Sequence, residues 1–208
     1  MNKLICRALI LSVASFVGLS GCQLQQPDTS SVAPSQSSEP TPSSSDHDDP
    51  AAKNETTVKT IQVDFAGFEE QVKNLAGKLI VVDVWSTGCP PCMKEYPNLV
   101  ATSKRWPDQV ACISYNVDYI GQRSKPVESY LPKVGGFLEK QKSTSVINLI
   151  SSEADSEVFE KLQIASIPVV MLFDTGGKLL KKFTEANSGE DGLTYEGDII
   201  PAIEAAMK

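Results

Sequence analysis

The chain is poor in residues that hold metals. It has one histidine, His47, and five cysteines, of which only Cys89 and Cys92 stand at close spacing. A structural zinc site takes about four Cys or His ligands, usually as two close pairs, and the sequence has no second pair. Basic residues are also short: 19 Lys and Arg against 26 Asp and Glu give a net charge of −7. An acidic chain is poorly suited to nucleic acid or to electrostatic docking on anionic lipid. There is no nicotinamide or flavin fingerprint, so the chain carries no electron-supplying cofactor of its own. Long apolar runs are missing too. The stretch at the N-terminus, Leu4 to Val17, is too short for a comfortable membrane-spanning helix.

What is present centres on Cys89-Pro90-Pro91-Cys92. The tetrapeptide follows an apolar run, Leu79 to Trp85, and precedes Met93-Lys94-Glu95-Tyr96, which reads as helix. Two cysteines two residues apart at a strand-to-helix junction can close a small disulfide ring. The junction also sets the first sulfur among the free N–H groups of a helix N-terminus, where negative charge is favoured. That lowers the thiol pKa and yields a thiolate near neutral pH, the species that attacks disulfides. Disulfide exchange is the chemistry this pattern points to; metal binding is the weaker alternative.

The ends of the chain speak of location. Lys3 and Arg7 make a short basic region at the start of the apolar stretch, which reads as a secretory signal. Leu19-Ser20-Gly21-Cys22 resembles the lipobox of bacterial lipoproteins, and that resemblance makes Cys22 a lipidated anchor at the mature N-terminus. An ordinary cleaved signal is the alternative. Residues 23 to about 57 are rich in Ser, Pro, Asp and Thr with few large apolar side chains. Such a segment cannot offset its chain entropy by burial and is expected to stay disordered as a tether. The expected organisation is a signal peptide over 1–21, a lipid-anchored linker over 22–57 and one folded domain over 58–208. Loss of Lys3 and Arg7 with the signal takes the net charge from −7 to −9.

Within the domain, Phe68, Val72, Leu75 and Ala76 recur at helical spacing over 67–76. Leu79–Trp85 is an apolar, β-branched run of the kind buried on both faces of a sheet. A helix is predicted from about Pro91 to Trp106, a strand over Val110–Val117, and helices near Val127–Gln141 and Glu153–Leu162. Val169–Phe173 and Lys178–Phe183 form a hairpin about Asp174-Thr175-Gly176-Gly177, and Asp198–Met207 closes as a helix. Strands alternating with helices and then a hairpin imply an α/β fold with a mixed sheet covered on both sides.

The order of these features is similar to the thioredoxin fold, and specifically to membrane-anchored thioredoxin-like proteins of the TlpA and cytochrome c maturation type. Three landmarks carry the resemblance: Val82 to Cys92, Pro97, and Ser166 to Asp174 with its Ile167-Pro168. It runs from about residue 59 to the C-terminus. It implies a central mixed sheet flanked by helices on both faces, with an insertion before the cis-proline half. Pro97 matches a helix-kinking proline; ending the helix outright is the other reading. Pro168 matches the cis-proline that faces the cysteines, and the backbone of Ile167 is then expected to pair with substrate like an added strand. Asp83 matches the buried acid of thioredoxins, and apolar surroundings raise a carboxyl pKa. That suits a group taking a proton from the resolving thiol of Cys92. Glu95 recurs in the TlpA-like proteins and is a secondary candidate, pointing partly to solvent. Trp85 is expected to pack beneath the site.

The resemblance thus implies protein disulfides or dithiols as substrates, a membrane electron donor, a lipid anchor at Cys22, and a location outside the cytoplasm. Gly88, Pro90, Pro91 and Ile167 would edge the substrate groove. Two departures stand out. Gly88 occupies the place of the family's usual Trp, and the segment from Asp118 to Glu153 exceeds that of a minimal thioredoxin. Cys112, with apolar neighbours, reads as a buried inert thiol. Two rivals stay open: a peroxide reductase on the same fold, and a non-catalytic partner-binding module with a structural disulfide.

Overall fold

Residues 57–190 and 192–208 are described by a computed structural model. The expected signal segment, Cys22 and all but the last residue of the expected linker lie outside them. The elements run β1 (Thr60–Val63), α1 (Phe65–Asn74), β2 (Leu79–Trp85), α2 (Pro90–Arg105), β3 (Val110–Asn116), α3 (Leu131–Lys140), β4 (Ile147–Ser151), α4 (Asp155–Leu162), β5 (Val169–Phe173), β6 (Leu179–Thr184) and α5 (Ile200–Ala206). They build one six-stranded mixed sheet in the order β1-β4-β3-β2-β5-β6. β1, β4, β3 and β2 are mutually parallel, β5 runs antiparallel to β2, and β6, antiparallel to β5, returns to the direction of the first four.

β2 lies inside the sheet, and all seven of its residues are buried. Because side chains alternate across a strand, Ile80, Val82 and Val84 join one apolar cluster with Phe68 and Val72 of α1 and Val158 and Leu162 of α4. Leu79, Val81 and Trp85 join a second with α2, α3 and the C-terminal segment. Each fully buried aliphatic or aromatic side chain contributes about 1.5–3 kcal/mol, so the sheet is held from both sides. The expectation of helices on both faces matches the structure.

Local chemistry sets the boundaries. Asp64 caps α1 by accepting the Gly67 N–H at 2.8 Å, which starts that helix two residues earlier than its apolar spacing suggests. α2 continues through Pro97 to Arg105, so that proline does not end the helix. The β5–β6 turn is fastened by Asp174, whose Oδ1 accepts the N–H groups of Gly176 and Lys178 at 2.9 Å each; Gly177 takes the φ of +78° that the turn requires. β1 and β4 are additions to the predicted set. α3 is preceded by a short 3-10 turn, Val127–Tyr130, where one continuous helix is expected from residue 127. A π-turn, Tyr195–Ile199, leads into α5.

Candidate active site

The parity of β2 delivers the first component. Asp83 falls on the same strand face as Val81 and Trp85, toward α2, and is 3% exposed. The chain then turns through Ser86–Gly88. The Cys89 N–H bonds to the Ser86 carbonyl at 3.1 Å and the Gly88 N–H to Ser86 Oγ at 3.0 Å. Cys89 is the N-cap of α2, and Pro90 and Pro91 occupy the first turn, where a missing N–H leaves no bond unmade. Cys89 Sγ accepts the Cys92 N–H at 3.3 Å.

The two sulfurs are joined in a disulfide, with Cα atoms 5.3 Å apart. Once the pair is reduced, the same N–H and the positive end of the helix dipole favour a thiolate on Cys89. Both cysteines are buried, Cys89 at 7% exposure and Cys92 at 2%. Of the two, Cys89 is the slightly more exposed residue.

Burial dominates the electrostatics of Asp83. Removal from water raises its carboxyl from 3.8 to about 7; a hydrogen bond from Tyr195 pulls it down, and the nearby charge of Glu95 pushes it up. The Tyr195 hydroxyl donates to Asp83 Oδ2 at 2.8 Å. Burial first, and then the field of Asp83, raises the Tyr195 phenol well above its ordinary value, so it remains a donor at working pH. Glu95 is half-buried, in line with the expectation that it points partly to solvent. Its Oε2 accepts the backbone N–H of Tyr195 at 3.1 Å and the side-chain amide of Asn98 at 3.0 Å. Glu95 therefore holds in place the residue that holds Asp83.

The remaining predicted residues sit around this centre. Trp85 is fully buried and donates its indole N–H to Ser114 Oγ at 2.8 Å. Its ring lies 4.9 Å from Tyr96 and 5.0 Å from Phe137. The Ile167–Pro168 peptide is cis. Since Val84 pairs with Val169, Pro168 reaches the same end of the sheet from which the chain leads to Cys89. Gly88, Pro90 and Pro91 are exposed, Ile167 half-buried and Pro168 buried. Cys112 is a buried free thiol; burial, and secondarily Asp83, pushes it up to about 12. That keeps it protonated and unreactive.

Two features escape sequence reasoning. Tyr195 lies 112 residues from Asp83 and follows no motif. Asp118, just past β3, straps the loop before the cysteines: its Oδ1 accepts the Thr87 N–H at 2.6 Å, and its other oxygen accepts the Thr87 hydroxyl. Asn116 Nδ2 donates to the same carboxylate at 3.1 Å. Among the described residues no group of three or more His, Cys, Asp or Glu is arranged to hold a metal.

A dithiol pair capping the helix after the central strand, with a cis-proline at the same end of the sheet, defines a thioredoxin-fold protein with a dicysteine site. The Redoxin family model matches residues 51–199, and the chain belongs to that family. It is 25% identical over 122 residues to the thiol-disulfide oxidoreductase ResA of Bacillus subtilis (strain 168), covering 58% of this chain and 61% of that relative. Similar solved structures include the pneumococcal exposed lipoprotein thioredoxin Etrx1 of Streptococcus pneumoniae strain TIGR4, with TM-score 0.48 and 16% identity over 64% of this chain and 89% of that one. Another is the thioredoxin domain of an oxidoreductase from Bacteroides vulgatus, with TM-score 0.45 and 24% identity over 64% and 81% of the two chains.

Proposed function

We propose that the domain is a thiol-disulfide oxidoreductase that reduces protein disulfides outside the cytoplasm while anchored to a membrane through Cys22. The observation that carries the reading is the Cys89–Cys92 disulfide at the N-terminus of α2, with Cys92 N–H aimed at Cys89 Sγ. The similarity to a relative named as a thiol-disulfide oxidoreductase supports it. The lipobox-like Leu19 to Cys22 and the Ser/Pro-rich linker to residue 57 support the anchor and the tether of the domain at 58–208.

The exchange runs in two steps. In the reduced protein the Cys89 thiolate attacks one sulfur of a substrate disulfide. That bond breaks, a Cys89–substrate bond forms, and the other substrate sulfur leaves as a thiolate. Cys92 then gives its proton to Asp83 and attacks Cys89 Sγ. The Cys89–Cys92 bond forms, and the second substrate sulfur departs with the electron pair. Two electrons have passed to the substrate, and a membrane dithiol donor restores the pair by the reverse exchange. Ile167 and Pro168 line up the substrate chain beside the sulfurs, with Gly88, Pro90 and Pro91 along the groove edge.

The test is turnover of insulin disulfide by the purified domain, together with Cys92→Ser. The wild type reduces insulin with dithiothreitol as donor, and the variant accumulates a mixed disulfide on Cys89. Absence of both refutes the reading. Incorporation of labelled palmitate that disappears in Cys22→Ala tests the anchor separately.

A further inference from the structure

The helix that lengthens the middle of the chain, α3, is more than packing. Val134 and Leu138 face the core, while Lys133, Gly136, Phe137 and Lys140 form one wall of a groove of about 330 Å³. Thr87 and Met93 form part of the other. Thr87 stands two residues before Cys89 and Met93 directly after Cys92, so the groove runs beside the disulfide. Phe137 also packs on Trp85 at 5.0 Å and on Tyr96 at 5.1 Å. The groove floor is thus continuous with the packing beneath the site.

Two properties of this wall are not explained by packing. Glycine inside a helix is destabilising relative to alanine, yet α3 carries Gly135 and Gly136 together. A Cβ at either position would meet nothing within 4 Å, so no neighbouring side chain demands a glycine. At Gly136 the result is bare backbone on the groove wall, where another chain can approach closely. The second property is charge. Lys133 and Lys140 are exposed, and neither belongs to an ion pair among the described residues, although the chain is acidic overall. The wall itself carries no carboxylate.

We propose that this groove seats the polypeptide flanking the substrate's disulfide, and that Lys133 and Lys140 select a segment carrying acidic side chains. The proposal rests on the oxidoreductase reading above. Seven residues of helix span about 10 Å, close to three residues of extended chain at about 3.3 Å each. Side chains alternate along such a chain, so acids two or four positions apart share the face toward α3 and bracket that span. Rim charges of this kind act mainly on the rate of encounter and weaken with salt.

The experiment uses three peptides with the same internal disulfide, flanked by Asp-x-Asp-x-Asp, Gln-x-Gln-x-Gln or Lys-x-Lys-x-Lys, and neutral hydroxyethyl disulfide as a fourth substrate. Single-turnover reduction by the reduced protein is expected to be about tenfold faster for the acidic than the basic peptide at low ionic strength. High salt should level the rates. Lys133→Glu/Lys140→Glu should invert the order. Gly136→Phe, which fills the groove, should slow all three peptides severalfold relative to hydroxyethyl disulfide. Equal rates for the three peptides in a wild type that turns over hydroxyethyl disulfide overturn the groove proposal and leave the oxidoreductase reading standing. A wild type that reduces none of the four substrates overturns both. A preference for the acidic peptide that survives in the lysine double variant also overturns the proposal, since the selection would then lie elsewhere.

Discussion

Replacing Asp83 with asparagine is expected to stabilise the oxidised protein, by an amount that grows with pH. The carboxyl titrates near 3.8 in the unfolded chain and at about 7 in the folded one, chiefly because burial disfavours its charge. Between those values the native state binds the proton more tightly than the unfolded state. Its stabilising contribution is complete below 3.8 and is lost as pH rises toward 7. Each unit corresponds to about 1.4 kcal/mol. The wild type therefore forfeits about 2 kcal/mol by pH 5 and about 4 kcal/mol by pH 8. Asparagine does not titrate, and its carbonyl still accepts from Tyr195. Its added N–H donors shift the comparison by a constant at all pH values.

The stability gap between Asp83→Asn and wild type should thus widen by about 2–3 kcal/mol from pH 5 to pH 8 and then level off. For a domain of this size that is a change of about 4–12 °C in the difference of melting temperatures. Thermal unfolding of the oxidised proteins followed by circular dichroism, at matched ionic strength, measures it. A gap that stays flat over this range places the titration of Asp83 elsewhere. A gap that narrows reverses the sign, and would mean the protein stabilises the carboxylate rather than the acid. In exchange the same variant should lose about 100-fold in the resolving step, so that mixed disulfide builds up on Cys89.

Tyr195→Phe removes the hydrogen bond that favours the charged form of Asp83; the pH midpoint of the resolving step should rise by about one unit. Glu95→Gln keeps an acceptor for the Tyr195 N–H but removes a charge that raises Asp83, and the midpoint should fall. Rapid-quench rates from pH 5 to 9 read both, and shifts of the same sign would refute the assigned roles. Asp118→Ala leaves the Thr87 N–H and the Asn116 amide without their acceptor; a loss of about 2–3 kcal/mol in denaturant unfolding is expected. An unchanged midpoint would mean that the loop before Cys89 holds itself.

How far these features could be read from sequence depends on how local their cause is. β2 announces itself, since seven buried residues need an apolar run, and the dithiol at its end needs only its own spacing. Asp83 stands out as the one charge in that run. β4 is hidden by Asn148, a polar residue second in a strand of five. That side chain is buried and satisfied from a distance: its amide donates to the carbonyls of Ser143 at 2.8 Å and Val146 at 3.1 Å, and its oxygen accepts from Tyr96 at 3.0 Å. β1 has four residues on the sheet edge and lies alongside β4 rather than any strand near it in sequence. No local pattern encodes partners of that kind. The helix expected to run unbroken from residue 127 is two segments, because its first turn is wound more tightly than the rest.

The hardest part to foresee is also the part that sets the chemistry. Any buried acid on this strand face would titrate high, so burial alone gives the direction. What draws it back toward neutrality is a donor from the other end of the chain. That donor is useful only if its hydroxyl keeps its proton and its backbone keeps its position. Burial and the field of Asp83 secure the first, and Glu95 secures the second by accepting the Tyr195 N–H. Glu95 thus acts on Asp83 in two opposing ways: its charge raises the carboxyl directly, while its hydrogen bond steadies the phenol that lowers it.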